Sequence, residues 1–260
     1  MHEVSQICEE YANRGVAGVF FSPMEMPQEA MSINARIADA LDQQGIVVVL
    51  LDRDVCDFPR RSRFDLVGID NVNAGYVLTE HLLGLGHRQI GFIQPAWGAS
   101  TISARIAGYR EALKSHNITP VAGWVRRGDT TDLEFVRDFI ERVKPEAVVC
   151  VNDHEAARLM RSLAALSVKV PEDVAIVGVD NDMWATLLSV SLTTLQQPCA
   201  ELAAAAMKLM LERFAEPSRR PREVCLACRL IVRESSGARS PRTKAQSKET
   251  GNAASAQPVG

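Results

Sequence analysis

Short apolar runs recur along the chain and alternate with segments of helical length. The runs lie at residues 16–21, 46–51, 66–69, 90–93, 147–151 and 174–179. Each run is apolar at successive positions, so both faces of the corresponding strand are apolar. That pattern is typical of parallel strands covered by helices on both sides of a sheet. The six runs therefore predict the strands of parallel sheets.

The segments between these runs have the spacing of amphipathic helices. In residues 74–85, Leu78, Leu82 and Leu85 fall on one helix face, and Gly86 follows as a stop signal. The other predicted helices are residues 27–44, 105–116, 132–143, 155–166 and 202–214, and residues 224–232 are predicted to form one further strand. Strand–helix alternation with short connections predicts right-handed crossovers, so the fold class is α/β.

Composition places the chain among ordinary soluble globular proteins. Of its 260 residues, 47% are hydrophobic and 23% charged, and the formal net charge is −3. This balance lacks the basic excess of a typical nucleic-acid-binding domain. Residues 1–15 do not resemble a secretory signal, and no apolar stretch is long enough to cross a membrane, so we expect a cytoplasmic protein with free thiols.

Acidic and amide residues directly follow four of the predicted strands. They are Asp52, which is itself followed by Arg53, the pair Asp70 and Asn71, the pair Asn152 and Asp153, and the group Asp180, Asn181 and Asp182. In open α/β sheets, ligands bind outside the carboxyl ends of the strands, and carboxylates and amides match the hydrogen-bonding needs of vicinal hydroxyls. Each residue could instead be the N-cap of the next helix. Both interpretations stay open at each position, although four coincident positions favour a pocket.

Motifs for other chemistry are missing from the sequence. It contains no GxGxxG, no GxxxxGK[ST] and no GxSxG. Cys225 and Cys228 have the spacing of half a zinc site, but no second pair of ligands completes it. His87 is interpreted as a structural loop residue, whereas His154, beside Asn152 and Asp153 at a strand end, is the stronger candidate for a functional role. We therefore expect a protein that is not an enzyme and that uses no cofactor or metal.

Five segments, taken in order, resemble the effector-binding core of the LacI/GalR transcriptional regulators. They are LVGIDNVNAGYVLTEHLLGLGHRQIGFI, SARIAGYREAL, VPEDVAIVGVDN, LTTLQQP and VRESSG. The resemblance extends over residues 9–237. It implies a two-lobed, periplasmic-binding-protein-like (type I) fold in which each lobe is a parallel sheet flanked by helices. The implied N-terminal lobe is 1–70 plus 198–226, the C-terminal lobe is 71–197 plus 227–237, and 238–260 would be a disordered tail.

The resemblance also implies roles for particular residues around a sugar-binding cleft. Arg105, predicted at the start of a helix, would hydrogen-bond the effector hydroxyls. Asn152, Asp180 and Asp52 match further sugar-contacting positions of the family, and Asn71 is added as a neighbouring strand-end residue.

The aromatic residue that stacks on the sugar in some relatives has no match here. Thr130 lies near that position. Trp184 is predicted to be the best-placed substitute, and Trp97 and Trp124 are the alternatives. The identity of the effector therefore stays open.

Members of this family begin with a helix-turn-helix head and a hinge helix, whereas Met1 here falls within the helix before the first predicted strand. The resemblance thus implies that the head and about two βα units of the first lobe are missing. We expect a fragment, or a start codon placed too far downstream, with an incomplete first lobe.

The expected function is the ligand-sensing core of a transcriptional regulator. Its partners would be a small sugar-like effector, a second copy in a homodimer, and operator DNA through a head outside these residues, with no membrane. One alternative is a sugar-binding protein of a transport system, which would need a signal peptide. Another is an α/β enzyme, which would need a nucleophile–base pair or a metal cluster.

Overall fold

The computed structural model of the chain describes residues 2–25, 32–96 and 100–238. Three expectations lie outside these residues: the disordered tail from residue 239 onward, the beginning of the predicted helix 27–44, and the placement of Trp97. In the described part, helices and strands alternate and form two separate sheets. The α/β fold class is thereby confirmed.

The first sheet has four parallel strands. They are β1 (Gly18–Phe21), β2 (Val47–Leu51), β3 (Asp65–Ile69) and β9 (Glu223–Leu226), in that spatial order. Helices α1 (His2–Asn13) and α2 (Ser32–Gln43) pack on one face, where Val48 and Leu50 are buried. Helix α8 (Cys199–Ala215) packs on the other face, over Val49 and Val67. Burial on both faces explains why β2, in the interior of this sheet, is apolar at every position.

The second sheet has six strands, all parallel except one. They are β4 (Ile90–Gln94), β5 (Val125–Arg127), β6 (Ala147–Cys150), β7 (Ala175–Asp180), β8 (Thr193–Gln196) and β10 (Arg229–Ile231), in the order β10-β8-β7-β6-β4-β5. Only β10 is antiparallel to its neighbour. Helix α3 (Asn71–Gly84) precedes β4. The helices that follow β4, β5, β6 and β7 are α4 (Ser100–Ser115), α5 (Leu133–Val143), α6 (Asp153–Ala165) and α7 (Trp184–Leu187), and a short 3-10 helix lies at Glu234–Ser236.

Two apolar clusters fill the space on either side of the second sheet. One includes Leu78 of α3 and Tyr109 of α4, and the other includes Phe139 of α5 and Leu159 of α6. Within the described ranges, every helix falls short of the length and apolarity that a membrane crossing requires. All six cysteines are free thiols.

The prediction of one strand over residues 224–232 is wrong. Leu226 pairs with Ile69 in the first sheet, whereas Leu230 pairs with Leu195 in the second. The chain therefore crosses between sheets at residues 227–228, and a change of pairing partner breaks the strand there. Cys225 lies on one side of the crossing and Cys228 within it. This crossing falls at the predicted lobe boundary, although the lobe limits themselves remain a prediction.

Helices α3 and α4 cross at a pair of glycines. A Cβ atom on Gly75 would lie 1.9 Å from the carbonyl oxygen of Arg105, and one on Gly108 would lie 1.8 Å from that of Val72. Both distances are far below van der Waals contact, so only glycine permits this approach. The crossing fixes the backbone of Arg105 against α3.

Candidate functional site

A cavity of about 260 Å³ lies between the two sheets, at the carboxyl ends of their strands. Four of the predicted effector-binding residues line it, namely Asp52, Arg105, Asn152 and Asp180. The polar residues that complete the wall are Glu25, Arg53, Thr101 and Gln197. Asp52 and Arg53 follow β2 of the first sheet, whereas Asp180 ends β7 of the second, so both sheets contribute. We call this space the intersheet cavity.

Arg105 is held in place before any ligand arrives. Its side chain is only 7% exposed, its Nε donates to Asn71 Oδ1 at 2.9 Å, and its Nη1 donates to the carbonyl of Val151. Arg105 is the sixth residue of α4 and not its first, so the predicted helix start was wrong. The helix begins earlier because Thr101 and Ile102 are buried against the core and extend its packed face.

Asn71 lies behind Arg105 and outside the wall of the intersheet cavity. Its Nδ2 donates to the carbonyl of Ile69 at 3.2 Å while its Oδ1 receives Arg105. The residue therefore orients the guanidinium at the cavity. A direct contact between Asn71 and an effector stays a prediction.

The carboxylate of Asp52 is paired with its neighbour. Arg53 donates from Nε and Nη2 to Asp52 Oδ2 at 2.9 and 2.6 Å, and its Nη1 lies 2.9 Å from Glu25 Oε1. Sequence analysis placed Arg53 at the strand end beside Asp52 without assigning it a role, and it did not select Glu25. The position of Arg53 next to Asp52 was an available signal, whereas Glu25 lies four residues beyond β1 and carried none.

The strand-end backbone at this cavity is unusual. Asp52, Asp180 and Asn181 have positive φ values of 68°, 120° and 54°. Such conformations cost roughly 1–3 kcal/mol each for residues other than glycine and cluster at functional sites. The Asp180 carboxylate accepts from Gln197 Nε2 at 2.6 Å, and burial raises the pKa of Asp180 while Arg105 opposes that rise. Gln197 is a second residue that sequence reasoning missed.

The alternative of helix capping is confirmed at two strand ends. Asp70 accepts from the Asn73 N–H at 2.9 Å and caps α3. Asn152 accepts from the Glu155 N–H at 2.9 Å and caps α6, yet it also lines the intersheet cavity. Capping and ligand contact are therefore compatible at the same residue.

A buried carboxyl group, that of Asp153, lies next to the intersheet cavity, directly after Asn152 in the chain. Asp153 has no exposed surface and accepts from Thr194 Oγ1 at 2.6 Å and from the Asp182 N–H at 3.1 Å. Burial raises the pKa of Asp153 to about 7, and the nearby Asp180 and Asp182 add to this rise. Gly178 makes room for the group, because a Cβ atom there would lie 2.4 Å from Asp153 Oδ1.

The structure does not bring Trp184 to the intersheet cavity. Trp184 is 43% exposed on α7, and its ring meets His154 edge-on at 6.5 Å between centroids. Trp124 is part of the apolar core, and the hydroxyl of Thr130 donates to Glu155 at 2.8 Å. The aromatic contact assigned to Trp184 thus stays a prediction without support from this geometry.

The cavity wall offers both acceptors and fixed donors. Three carboxylates accept hydrogen bonds, and the Arg105 guanidinium and the amides of Asn152 and Gln197 donate them. A small molecule with several hydroxyl groups satisfies such a mixed set. Among residues 2–25, 32–96 and 100–238, no cluster of histidine, cysteine and carboxylate residues is suited to a metal ion.

Comparison with known proteins adds independent information. The family described as periplasmic binding protein-like domain matches residues 79–236. The "HTH-type transcriptional repressor PurR" of Photobacterium profundum is 27% identical over 228 residues, which are 86% of this chain and 65% of that protein. The repressor of the same name from Vibrio campbellii is 31% identical over 179 residues, which are 67% of this chain and 54% of that protein. The chain thus spans about half to two-thirds of these relatives.

Solved structures agree with this picture. A complex of the transcriptional regulator CelR with cellobiose superimposes with a TM-score of 0.76 at 26% identity, over 90% of this chain and 70% of that one. A LacI family regulator from Enterococcus faecium with bound ribose gives a TM-score of 0.70 at 27% identity, over 89% and 84% of the two chains.

Proposed function

Since the chain belongs to the family of periplasmic-binding-protein-like domains and is an effector-binding core of the LacI/GalR type, we propose that it senses a small sugar-like effector for a transcriptional regulator. The regulator would contact operator DNA through a head outside these residues. Its curated relatives are transcriptional repressors, which favours this function over a transport protein or an enzyme. We propose the cytoplasm as its location for the same reason.

The observation that carries the proposal is the meeting of Asp52, Arg105, Asn152 and Asp180 around one cavity. These residues come from both sheets, so a ligand that bridges them would favour one relative placement of the two lobes. A ligand shifts such an equilibrium by its difference in affinity for the two placements. Closure around the effector would then be transmitted to the DNA-binding head.

A homodimer is the second part of the proposal. Met183, Trp184 and Leu187 around α7 are exposed at 65%, 43% and 67%, which is unusual for three large apolar side chains so close together. A second copy of the chain would cover them. Analytical ultracentrifugation of Leu187→Glu tests this idea, because a charge on this surface should weaken the dimer. If the variant dimerises as strongly as the unaltered chain, the assignment of this surface is contradicted.

The effector site is tested by a thermal-shift screen with monosaccharides, ribose among them, and with cellobiose. A true effector at 100 times its dissociation constant should add about 2.7 kcal/mol to the free energy of unfolding. Arg105→Ala should lose this gain. Arg110→Ala is the matched control, because Arg110 lies on the same helix but is exposed.

Two results would overturn the assignment of the site. One is a ligand-induced shift that survives in Arg105→Ala, and the other is a panel in which no compound stabilises the protein. Chemical turnover of a binding compound would instead favour an enzyme.

A further inference from the structure

An arginine-rich turn closes α8 at the end of the first sheet that lies opposite the intersheet cavity. Arg213, in the last turn of α8, donates to the carbonyl of Pro217 at 3.0 Å and to the carbonyl of Arg219. The same guanidinium donates from Nε to Asp65 Oδ2 at 2.9 Å, and Asp65 also accepts from the Arg222 N–H at 2.7 Å. These bonds hold the turn of residues 216–222 in one conformation.

Arg219 in this turn has only part of its hydrogen-bonding capacity satisfied. Its Nη1 donates to Glu212 Oε2 at 2.8 Å, and Arg222 donates to the same oxygen. The Nε and Nη2 atoms of Arg219 are buried and meet no acceptor among the residues that the structure describes. Leaving such a donor buried and unpaired is unfavourable, and more so when the group is charged. A hydrogen-bond acceptor placed against these two nitrogens would therefore stabilise the turn.

The unpaired Nε–Nη2 edge has a definite chemical preference. The hydrogens on these two nitrogens are parallel and form a fork that binds two oxygens of a carboxylate or phosphate at once. Two further guanidiniums lie beside this edge, because Arg213 donates to the Arg219 carbonyl and Arg222 shares the Glu212 carboxylate with Arg219.

A cavity of about 370 Å³ adjoins this group at the amino ends of β2 and β3. Its charged lining residues are Arg63, Arg213, Arg219, Asp42 and Asp65. Both carboxylates are already engaged, Asp42 by Arg63 and Asp65 by Arg213. Arg219 is thus the lining residue whose donors are left for a ligand. We call this space the basal cavity.

We propose that Arg219 in the basal cavity binds a phosphate-type oxyanion through its Nε and Nη2 atoms. The neighbouring guanidiniums of Arg213 and Arg222 add favourable charge. The site is separate from the intersheet cavity, because the two lie at opposite ends of the first sheet. The anion would lock the turn against the sheet. A phosphomonoester, inorganic phosphate and a phosphodiester share this chemistry.

The test is calorimetric titration of the full chain with sodium phosphate, against sodium chloride at equal ionic strength. Arg219→Gln should weaken binding by about tenfold or more, since it removes the charged fork. Arg220→Gln is the matched control, with the same loss of charge in the same turn but an exposed side chain. It should bind phosphate as the unaltered chain does. If Arg219→Gln does not fold, Arg219→Lys keeps the charge without the fork and should also bind more weakly.

Further arms distinguish the source of the phosphate and the location of the site. Binding of dimethyl phosphate as well as inorganic phosphate would indicate a phosphodiester, and binding of inorganic phosphate alone would indicate a free or terminal phosphate. Arg105→Gln, in the other cavity, should leave phosphate binding unchanged. The proposal is overturned if no saturable binding exceeds the effect of ionic strength, if Arg219→Gln and Arg220→Gln behave alike, or if Arg105→Gln abolishes binding.

Discussion

Replacing Gly75 with alanine should separate α3 from α4 and displace the Arg105 guanidinium, which faces the intersheet cavity. The new Cβ atom would lie 1.9 Å from the Arg105 carbonyl oxygen, 2.7 Å from its carbonyl carbon and 2.9 Å from its Cα. None of these atoms belongs to a flexible side chain that can rotate away. To restore ordinary contact the two helices must part locally by about 1.5 Å.

The energetic consequence follows from this displacement. Overpacking of a core typically costs about 1–3 kcal/mol, and we expect the upper end because the obstacle is backbone. A shift of this size would also stretch the Arg105–Asn71 hydrogen bond from 2.9 Å beyond a bonding distance. Gly75→Ala should therefore lose both stability and effector affinity.

Urea denaturation followed by circular dichroism measures the stability, and Gly84→Ala is the control. Gly84 is the last residue of the same helix, and a Cβ atom there meets nothing within 4 Å. Alanine at that position should stabilise the protein, by up to about 1 kcal/mol. We therefore expect the change from glycine to alanine to lower the free energy of unfolding at position 75 and to raise it at position 84. If the two variants unfold at the same urea concentration, the close glycine crossing is not what positions Arg105.

Three further predictions concern buried polar groups. Because burial raises the pKa of Asp153 from 3.8 to about 7, the native state binds its proton more tightly than the unfolded chain. The free energy of unfolding should thus fall, by up to about 1.4 kcal/mol per pH unit, as pH rises from 4 to 7. In Asp153→Asn this component of the pH dependence should vanish, and an unchanged profile would contradict it. Asp65→Asn should cost about 3–5 kcal/mol because it leaves the charge of the largely buried Arg213 guanidinium without its carboxylate partner. Glu223→Gln, at a more exposed ion pair, should cost under about 1 kcal/mol, and urea titration measures both. Tyr109→Phe should cost about 1 kcal/mol in thermal unfolding by leaving the carbonyl of Ile90 without its 2.7 Å hydrogen bond, and no measurable change would refute this.

The strands that the apolar pattern predicts are those whose burial is purely apolar. Strand β8 was not predicted, although its residues Thr193 and Thr194 have no exposed surface. Their hydroxyls are satisfied by hydrogen bonds, that of Thr194 to Asp153 and that of Thr193 to the carbonyl of Arg233. A hydropathy pattern registers the hydroxyl but not the partner that permits its burial. Partners more than 35 residues away in sequence cannot be derived from a local pattern.

The polar site residues divide in the same way, into those that the local sequence identifies and those that depend on contacts distant in sequence. Asp52 and Asp180 were predicted from their position at strand ends. The apolar run of a strand shows where that strand ends, and ligands of parallel sheets bind at those ends. Glu25 and Gln197 became part of the cavity only because the two sheets approach each other. Their contacts depend on three chain crossings, one of which, at residues 227–228, was hidden inside an apparently continuous strand.

The choice between helix cap and ligand contact was not a true alternative. The carboxyl end of a parallel strand is followed by the amino end of a helix, so one position serves both purposes by geometry. Asn152 uses Oδ1 to cap α6, and its Nδ2 amide is left for the cavity that it lines. Asp70 caps α3 in the same way, but it lies where the chain crosses between sheets and faces a different, smaller space. What separates a pure cap from a candidate contact is therefore the approach of the other sheet, a property of the whole fold that no single strand–helix junction encodes.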